Sequence, residues 1–183
     1  TQSRSSAASD VYKRQVFNAL LQPGDEGSHF AIELEELASA HQWYEPNTAI
    51  LRTQLFDKAG QGIEITDFAP RFYSRSRYFR PMTLVRRVRP IQGSPRVRVA
   101  LKVRYDWGQT TPEITRGSNH IRYVGESMTL RLSTDAPVSH VLSGQAFVLT
   151  REHNFLLGAD ETLVDGIADT ARRFEQELSL IHI

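Results

Sequence analysis

Two short runs of alternating residues, Leu51-Thr53-Leu55 and Ile63-Ile65-Asp67, flank the polar loop Asp57–Gln61, and this pattern constrains the chain to a β-hairpin. Side chains in a strand alternate between faces, so pairing Leu55 with Ile63 keeps the apolar faces together. That register carries Asp67 onto the core side, where an unpaired carboxylate is costly. Asp67 is therefore expected to meet an arginine or turn amides. A one-residue slip would set Arg52 opposite Asp67 but lose the apolar match, so the first register is preferred. Tyr44, Pro46, Asn47 and Thr48 mark the entrance to this hairpin, and Asp67 and Pro70 its exit. Thr53 and Asp67 are read as parts that fix register and turn, not as catalytic groups.

Other segments carry the same period. Phe30, Ile32 and Leu34 alternate as a strand, followed by Glu35 to Ala40 as a short helix or loop. Leu84–Ile91 and Arg96–Tyr105 are expected to pair with each other through Gln92-Gly93-Ser94-Pro95. In the second of these, Val97, Val99, Leu101, Val103 and Tyr105 alternate with polar or small residues, giving one buried and one solvated face. Further strands are expected at Glu113–Arg116, His120–Val124, Ser127–Ser133, Val138–Leu142 and Ala146–Thr150. Short strands separated by turn residues indicate an all-β, antiparallel sandwich. The chain then changes period. Asp160 is placed as N-cap of a closing helix in which Leu163, Val164, Ile167, Ala168, Ala171 and Phe174 recur at helical spacing. Asp160 and Glu161 would face its positive end, and Arg172 and Arg173 its negative end.

A chain of 183 residues has the size of one domain with a substantial core. It has no apolar run of the ~20 residues that span a bilayer, so no membrane partner is expected. The lack of cysteine removes disulfides and thiolate metal sites, in keeping with a cytoplasmic setting. Net charge is +1, yet eleven Lys or Arg and no acid lie between Asp67 and Asp106. That stretch could neutralise phosphates while its aromatics stack on bases. Its arginines, however, occupy the outward half of an ordinary β pattern, so a solvated face balanced by acids elsewhere is the preferred reading over nucleic acid.

The histidines at 29, 41, 120, 140 and 153 show no metal-ligand spacing, and no cofactor fingerprint is present. Glu64 and Asp67 alternate to opposite faces and cannot form the acid–base pair of glycoside hydrolysis. In the turn Gly117-Ser118-Asn119-His120, the side chains of Asn119 and His120 could hydrogen-bond a sugar or a partner. A turn held by its own backbone bonds accounts for the same residues and is preferred.

The two ends stand apart. A codon choice for Asp10–Gln15 is the reverse complement of one for Leu178–Ile183, so both ends can be one DNA element read in opposite directions. The element is similar to a transposon-end adapter, and residues 1–15 and 178–183 are set aside as non-native tails. Residues 16–159 then form the sandwich, and 160–177 the helix that leaves it.

The Tyr44–Pro70 hairpin, the Leu84-Val85-Arg86-Arg87 strand with its Gly93-Ser94-Pro95 turn, and the Thr134-Asp135-Ala136-Pro137 turn occur in an order that resembles one family. Together they are similar to the N-terminal β-sandwich domain of bacterial and archaeal glycoside hydrolase family 15, home of glucoamylases, trehalases and glucodextranases. The resemblance covers Val16 to Glu177. It implies an antiparallel super-sandwich with a C-terminal linker helix, followed by an (α/α)6 barrel that hydrolyses α-glucosidic bonds with inversion. The two catalytic glutamates of that barrel have no counterpart here. Also missing are the opening strands that precede Val16-Phe17 in the family, and their loss would expose a sheet edge. The implied partner is the chain's own catalytic barrel. An alternative reading is a carbohydrate-binding module for glucan or α-glucoside, with Trp43, Tyr73, Tyr78 or Trp107 supplying an aromatic platform.

Overall fold

The structure, a computed structural model, describes residues 16–18, 27–74 and 76–179. The tail 1–15, most of the tail 178–183, and residues 19–26, which include the second half of the apolar run Val16–Leu21 and its Pro23-Gly24 stop, lie outside the described residues.

The described residues form thirteen strands: β1 (His29–Leu34), β2 (Leu37–Tyr44), β3 (Leu51–Asp57), β4 (Gly62–Phe68), β5 (Phe72–Ser74), β6 (Arg77–Phe79), β7 (Thr83–Gln92), β8 (Arg96–Lys102), β9 (Glu113–Arg116), β10 (His120–Val124), β11 (Thr129–Thr134), β12 (Phe147–Val148) and β13 (His153–Ala159). Helix α1 spans Val138–Ser143 and helix α2 spans Ile167–Ser179. Eight strands make one antiparallel sheet in the order β2-β3-β4-β7-β13-β11-β10-β9, and three make a second, β1-β8-β12. The strands β5 and β6 pair alone as a hairpin. The fold is an all-β antiparallel sandwich with one C-terminal helix.

Period-two burial assembles the core between the two sheets. Ile63 and Ile65 of β4, Val88 of β7, Ile121 of β10 and Phe155 of β13 meet Ile32 of β1 and Val97 and Val99 of β8. A second apolar cluster lies on the opposite face of the large sheet. There Phe68, Val85 and Leu156 pack against Ala171, Phe174 and Leu178 of α2. Burial of this kind contributes about 25 cal/mol per Å² of apolar surface, so both clusters hold their layers on.

The key hairpin forms in the expected register, with Leu55 opposite Ile63 and Leu51 opposite Asp67. Its loop is closed by Asp57, whose Oδ1 accepts from the amides of Ala59 and Gln61, both at 2.8 Å. Gly60 supplies the left-handed turn at φ 78°. At the entrance, Asn47 takes φ 59°, and the Thr48 amide and hydroxyl both donate to the Glu45 carbonyl. Thr53 accepts from Gln42 Nε2 at 2.8 Å, tying β3 to β2.

Several expectations are corrected. The β7 and β8 strands are not partners: β7 lies between β4 and β13, whereas β8 lies between β1 and β12 in the other sheet. Val88 and Val97 share the same core from opposite sides, so the turn after Gln92 crosses between sheets. Residues from Leu37 onward extend as β2 instead of a helix or loop, drawn into the ladder by β3. Val138–Leu142 is helical, because Pro137 starts the turn and Gly144 ends it with a left-handed φ of 63°. Asp160 does not cap the final helix. Arg122 takes its carboxylate instead, and α2 begins seven residues later with the Thr170 amide bonded to the Gly166 carbonyl at 2.9 Å.

Candidate functional site

Alternation also decides what the large sheet presents to α2. Arg52 and Gln54 of β3, Glu64 and Thr66 of β4, and Arg87 and Arg89 of β7 all point to the helix side. From α2, Glu175 reaches down between two strands, accepting from Arg52 Nη2 at 2.8 Å and pairing with Arg87 Nη1. Arg52 Nη2 also donates to Glu45 at 3.0 Å and its Nη1 to the Thr66 hydroxyl at 2.6 Å. Arg87 Nη2 donates to Glu152 at 2.7 Å, and Arg89 Nε to Glu64 at 2.9 Å. Arg52, Thr66, Arg87, Arg89, Glu152 and Glu175 line a small polar cavity of about 220 Å³.

Burial works to raise the Glu64 carboxyl, but hydrogen bonds from Gln54 and Arg89 and the charges of Arg89 and Arg52 outweigh it. Its pKa therefore ends below the ordinary 4.5. A carboxyl held ionised in this way cannot serve as a general acid, which needs a raised pKa. The cluster joins a helix to three strands by charge-assisted bonds, and its chemistry is that of a clamp.

On the core side, Asp67 meets Arg86 in a two-pronged pair, Nε to Oδ1 at 2.7 Å and Nη2 to Oδ2 at 2.8 Å. The same guanidinium donates through Nη1 to the Phe30 carbonyl at 2.6 Å and lies over the Phe30 ring at 4.5 Å. Asp67 thus finds the arginine that its core-side position called for, and Arg86 carries the connection on to the small sheet. Glu64 and Asp67 lie on opposite faces, as the alternation requires.

Asn119 and His120 sit at the exposed turn between β9 and β10. The Gly117 amide donates to the His120 carbonyl at 2.9 Å, and the two side chains contact each other, Nδ1 to Oδ1, at 3.2 Å. Burial and the charges of Arg131 and Arg122 push the His120 imidazole below its ordinary 6.5. The aromatic candidates are scattered. Trp43 stacks on His41 along β2, and Trp107 occupies a tight turn at Asp106–Gly108, where Asn18 Nδ2 donates to its carbonyl. Only Tyr73 and Tyr78 come together, on facing positions of the β5–β6 hairpin, with ring centres 5.2 Å apart and edge to face.

Sequence reasoning passed over Glu152 and Glu175, which have no local signature. It did single out the Thr134–Pro137 turn, whose role is now visible. Asp135 accepts from the Asn154 amide at 2.7 Å and Asn154 Nδ2 at 3.0 Å, and lies 3.3 Å from His153 Nδ1. The turn is thereby fastened to β13. Burial raises the Asp135 carboxyl, but bonds from His153 and Asn154 prevail and hold it below 3.8.

Glu64 and Asp135 together set an acid limit on stability. Each has a depressed folded pKa, so the unfolded chain binds more protons as pH falls. Their contribution is present above the unfolded values of 4.5 and 3.8 and is lost as pH drops through the lower folded ones. Urea midpoints are expected to decline below pH 4.5 more steeply in the parent than in the Glu64→Gln/Asp135→Asn variant. Equal slopes would show that neither carboxylate is coupled to folding.

No family model, curated protein or solved structure matches the chain.

Proposed function

We propose that this chain is a non-catalytic sandwich domain of the kind that precedes the catalytic barrel in family 15 glycoside hydrolases, and that its work is mechanical. The family reading rests on the order of the sequence motifs described above. The mechanical reading rests on one observation: Glu175 bridges Arg52 of β3 and Arg87 of β7, fastening the C-terminal helix across the large sheet. A helix held by both an apolar face and an ionic clamp gives whatever follows it a defined starting direction. Such a support keeps catalytic groups positioned in a neighbouring domain. The parent would be a glucoamylase- or trehalase-like α-glucoside hydrolase of the cytoplasm.

A second reading, glucan binding, draws on the Tyr73–Tyr78 pair, which is 57% and 72% exposed. Edge-to-face rings offer less flat surface to a sugar than coplanar ones, which favours the first reading. Nucleic-acid binding loses support because Arg86, Arg87, Arg89, Arg96 and Arg98 are engaged by carboxylates of the same chain.

The pure chain is expected to release no glucose from maltose, trehalose or starch, and to migrate unretarded in a gel cast with soluble starch. Turnover would overturn the non-catalytic assignment. Retardation that disappears in Tyr78→Ala would replace support with glucan binding.

A further inference from the structure

The large sheet ends on β2, and this edge differs from the other strand edges among the described residues. β2 is eight residues long and contains no Lys, Arg, Asp, Glu or Pro. Its only ladder partner among the described residues is β3. Neither apolar cluster includes a β2 residue, and every residue of the strand but Trp43 is exposed. A long uncharged edge is a template for another strand, and proteins ordinarily blunt their edges with charge, proline, brevity or a bulge. The other edges follow that rule. At the far end of the large sheet, β9 has four residues and is bounded by Glu113 and Arg116. In the small sheet β12 has two residues and β1 carries Glu33, while β5 and β6 have three residues each. β2 has one such device, a bulge between Leu37 and Ser39, which leaves Ala40–Tyr44 regular.

The regular stretch has a defined outward side. The Glu45 amide donates to the Ile50 carbonyl at 2.9 Å, in register with Tyr44 opposite Leu51. Successive residues of an antiparallel strand turn their backbone groups to opposite sides. His41 and Trp43 therefore bond toward β3, whereas Ala40, Gln42 and Tyr44 hold their amides and carbonyls away from it. The side chains alternate as well. The rings of His41 and Trp43 stack on one face with centres 5.0 Å apart, and Gln42 lies on the other, bonded to Thr53. Tyr44 shares the Gln42 face and is 66% exposed.

We infer that β2 is a self-association edge: it pairs antiparallel with β2 of a second copy about a two-fold axis at Gln42, joining the two large sheets into one. Gln42 then faces the partner's Gln42 and Ala40 faces the partner's Tyr44. Two bonds at each of three facing pairs give about six backbone hydrogen bonds. On one face the His41–Trp43 stack of each copy lies beside that of the other, and on the opposite face small Ala40 makes room for Tyr44. The absence of charge lets the strand meet its own copy, and the flanking acids select the register. An axis at Ala40 would set Glu45 opposite the partner's Glu35, and one at His41 would bring it beside the partner's Glu36, where like charges repel. With the axis at Gln42, Glu45 faces the partner's Ser39. Because β9 is short and charged, pairing stops at a closed dimer instead of extending into a filament. The inference is independent of the supporting role proposed above and would survive its failure.

Sedimentation equilibrium of the full chain, joined to amide exchange followed by NMR, tests it. The chain is expected to associate reversibly to twice its mass and no further. Exchange at the amides of Ala40, Gln42 and Tyr44 should slow at least ~10-fold from dilute to concentrated samples, while those of His41 and Trp43, already bonded to β3, change little. Gln42→Pro removes an outward amide and leaves the β3 ladder its bonds. It should weaken the dimer ~10- to 100-fold, because the two-fold axis makes the loss two bonds. Gln42→Lys keeps the backbone, sets like charges face to face at the axis and should weaken the dimer at least ~10-fold. Circular dichroism reports whether each variant is folded, and Gln42→Lys serves if the proline variant is not. A monomer at every concentration, filaments, a dimer left unchanged by a folded Gln42 variant, or slowing that spares these three amides would each overturn the inference.

Discussion

Replacing Arg86 with methionine is expected to destabilise the protein by about 3 kcal/mol, the low end of the cost of stranding one partner of a buried ion pair. The side chains of Arg86 and Asp67 are 15% and 16% exposed, so water cannot fully take over. The substitution removes two bonds to Asp67, one to the Phe30 carbonyl and the contact over the Phe30 ring. For a domain of this size, that loss corresponds to a fall in Tm of about 6–12 °C. The control is the double variant Asp67→Asn/Arg86→Met, which removes the stranded charge and should recover part of the loss. Thermal unfolding followed by circular dichroism measures both. If the single and double variants melt together, the cost lies in packing around Phe30 and not in the uncompensated carboxylate.

Glu175→Ala is expected to act locally. It removes the acid that joins Arg52 to Arg87, while Arg52 keeps Glu45 and Arg87 keeps Glu152. Charge-assisted bonds of this kind contribute about 1.5–3 kcal/mol, so a loss near 2 kcal/mol corresponds to roughly 30-fold faster amide exchange. The acceleration should be confined to α2, because the sandwich core lies on the far side of the large sheet. Exchange measured by NMR at neutral pH distinguishes the cases. Acceleration spread equally through β4, β7 and β13 would mean that α2 and the sheet unfold as one unit, and the clamp would lose its separate role.

Much of the fold was legible because half-buried strands write a period of two into the chain. The hairpin register followed from matching Leu55 with Ile63, and the same register forced Asp67 to seek an arginine. The β9 and β10 strands occupy the residues that alternation and turn spacing indicated. By contrast, β13 was missed. Its sequence His153-Asn154-Phe155-Leu156-Leu157-Gly158-Ala159 does not alternate, because Phe155 and Leu157 face the sandwich while Leu156 faces α2. A strand covered on both faces loses the polar half of its pattern and resembles any apolar run.

The candidate site divides along the same line. Glu152 and Glu175 are ordinary surface acids in sequence, and only the packing of α2 onto the sheet brings them to Arg87.

By itself, the sequence determined that the Leu51–Asp57 and Gly62–Phe68 runs extend and pair, which face of each is buried, and that Asp67 needed a cation, since these depend on neighbours one or two positions away. The tertiary structure decided which strands share a sheet. The β7 and β8 strands have compatible patterns and a short turn, yet they face each other across the core. Alternation specifies that a strand has an apolar side, and burial is satisfied equally by a hydrogen-bonded neighbour's sheet or by an opposing one. The choice falls to the packing of the two sheets as wholes, where Val88 against Val97 and Val99 closes the space between them.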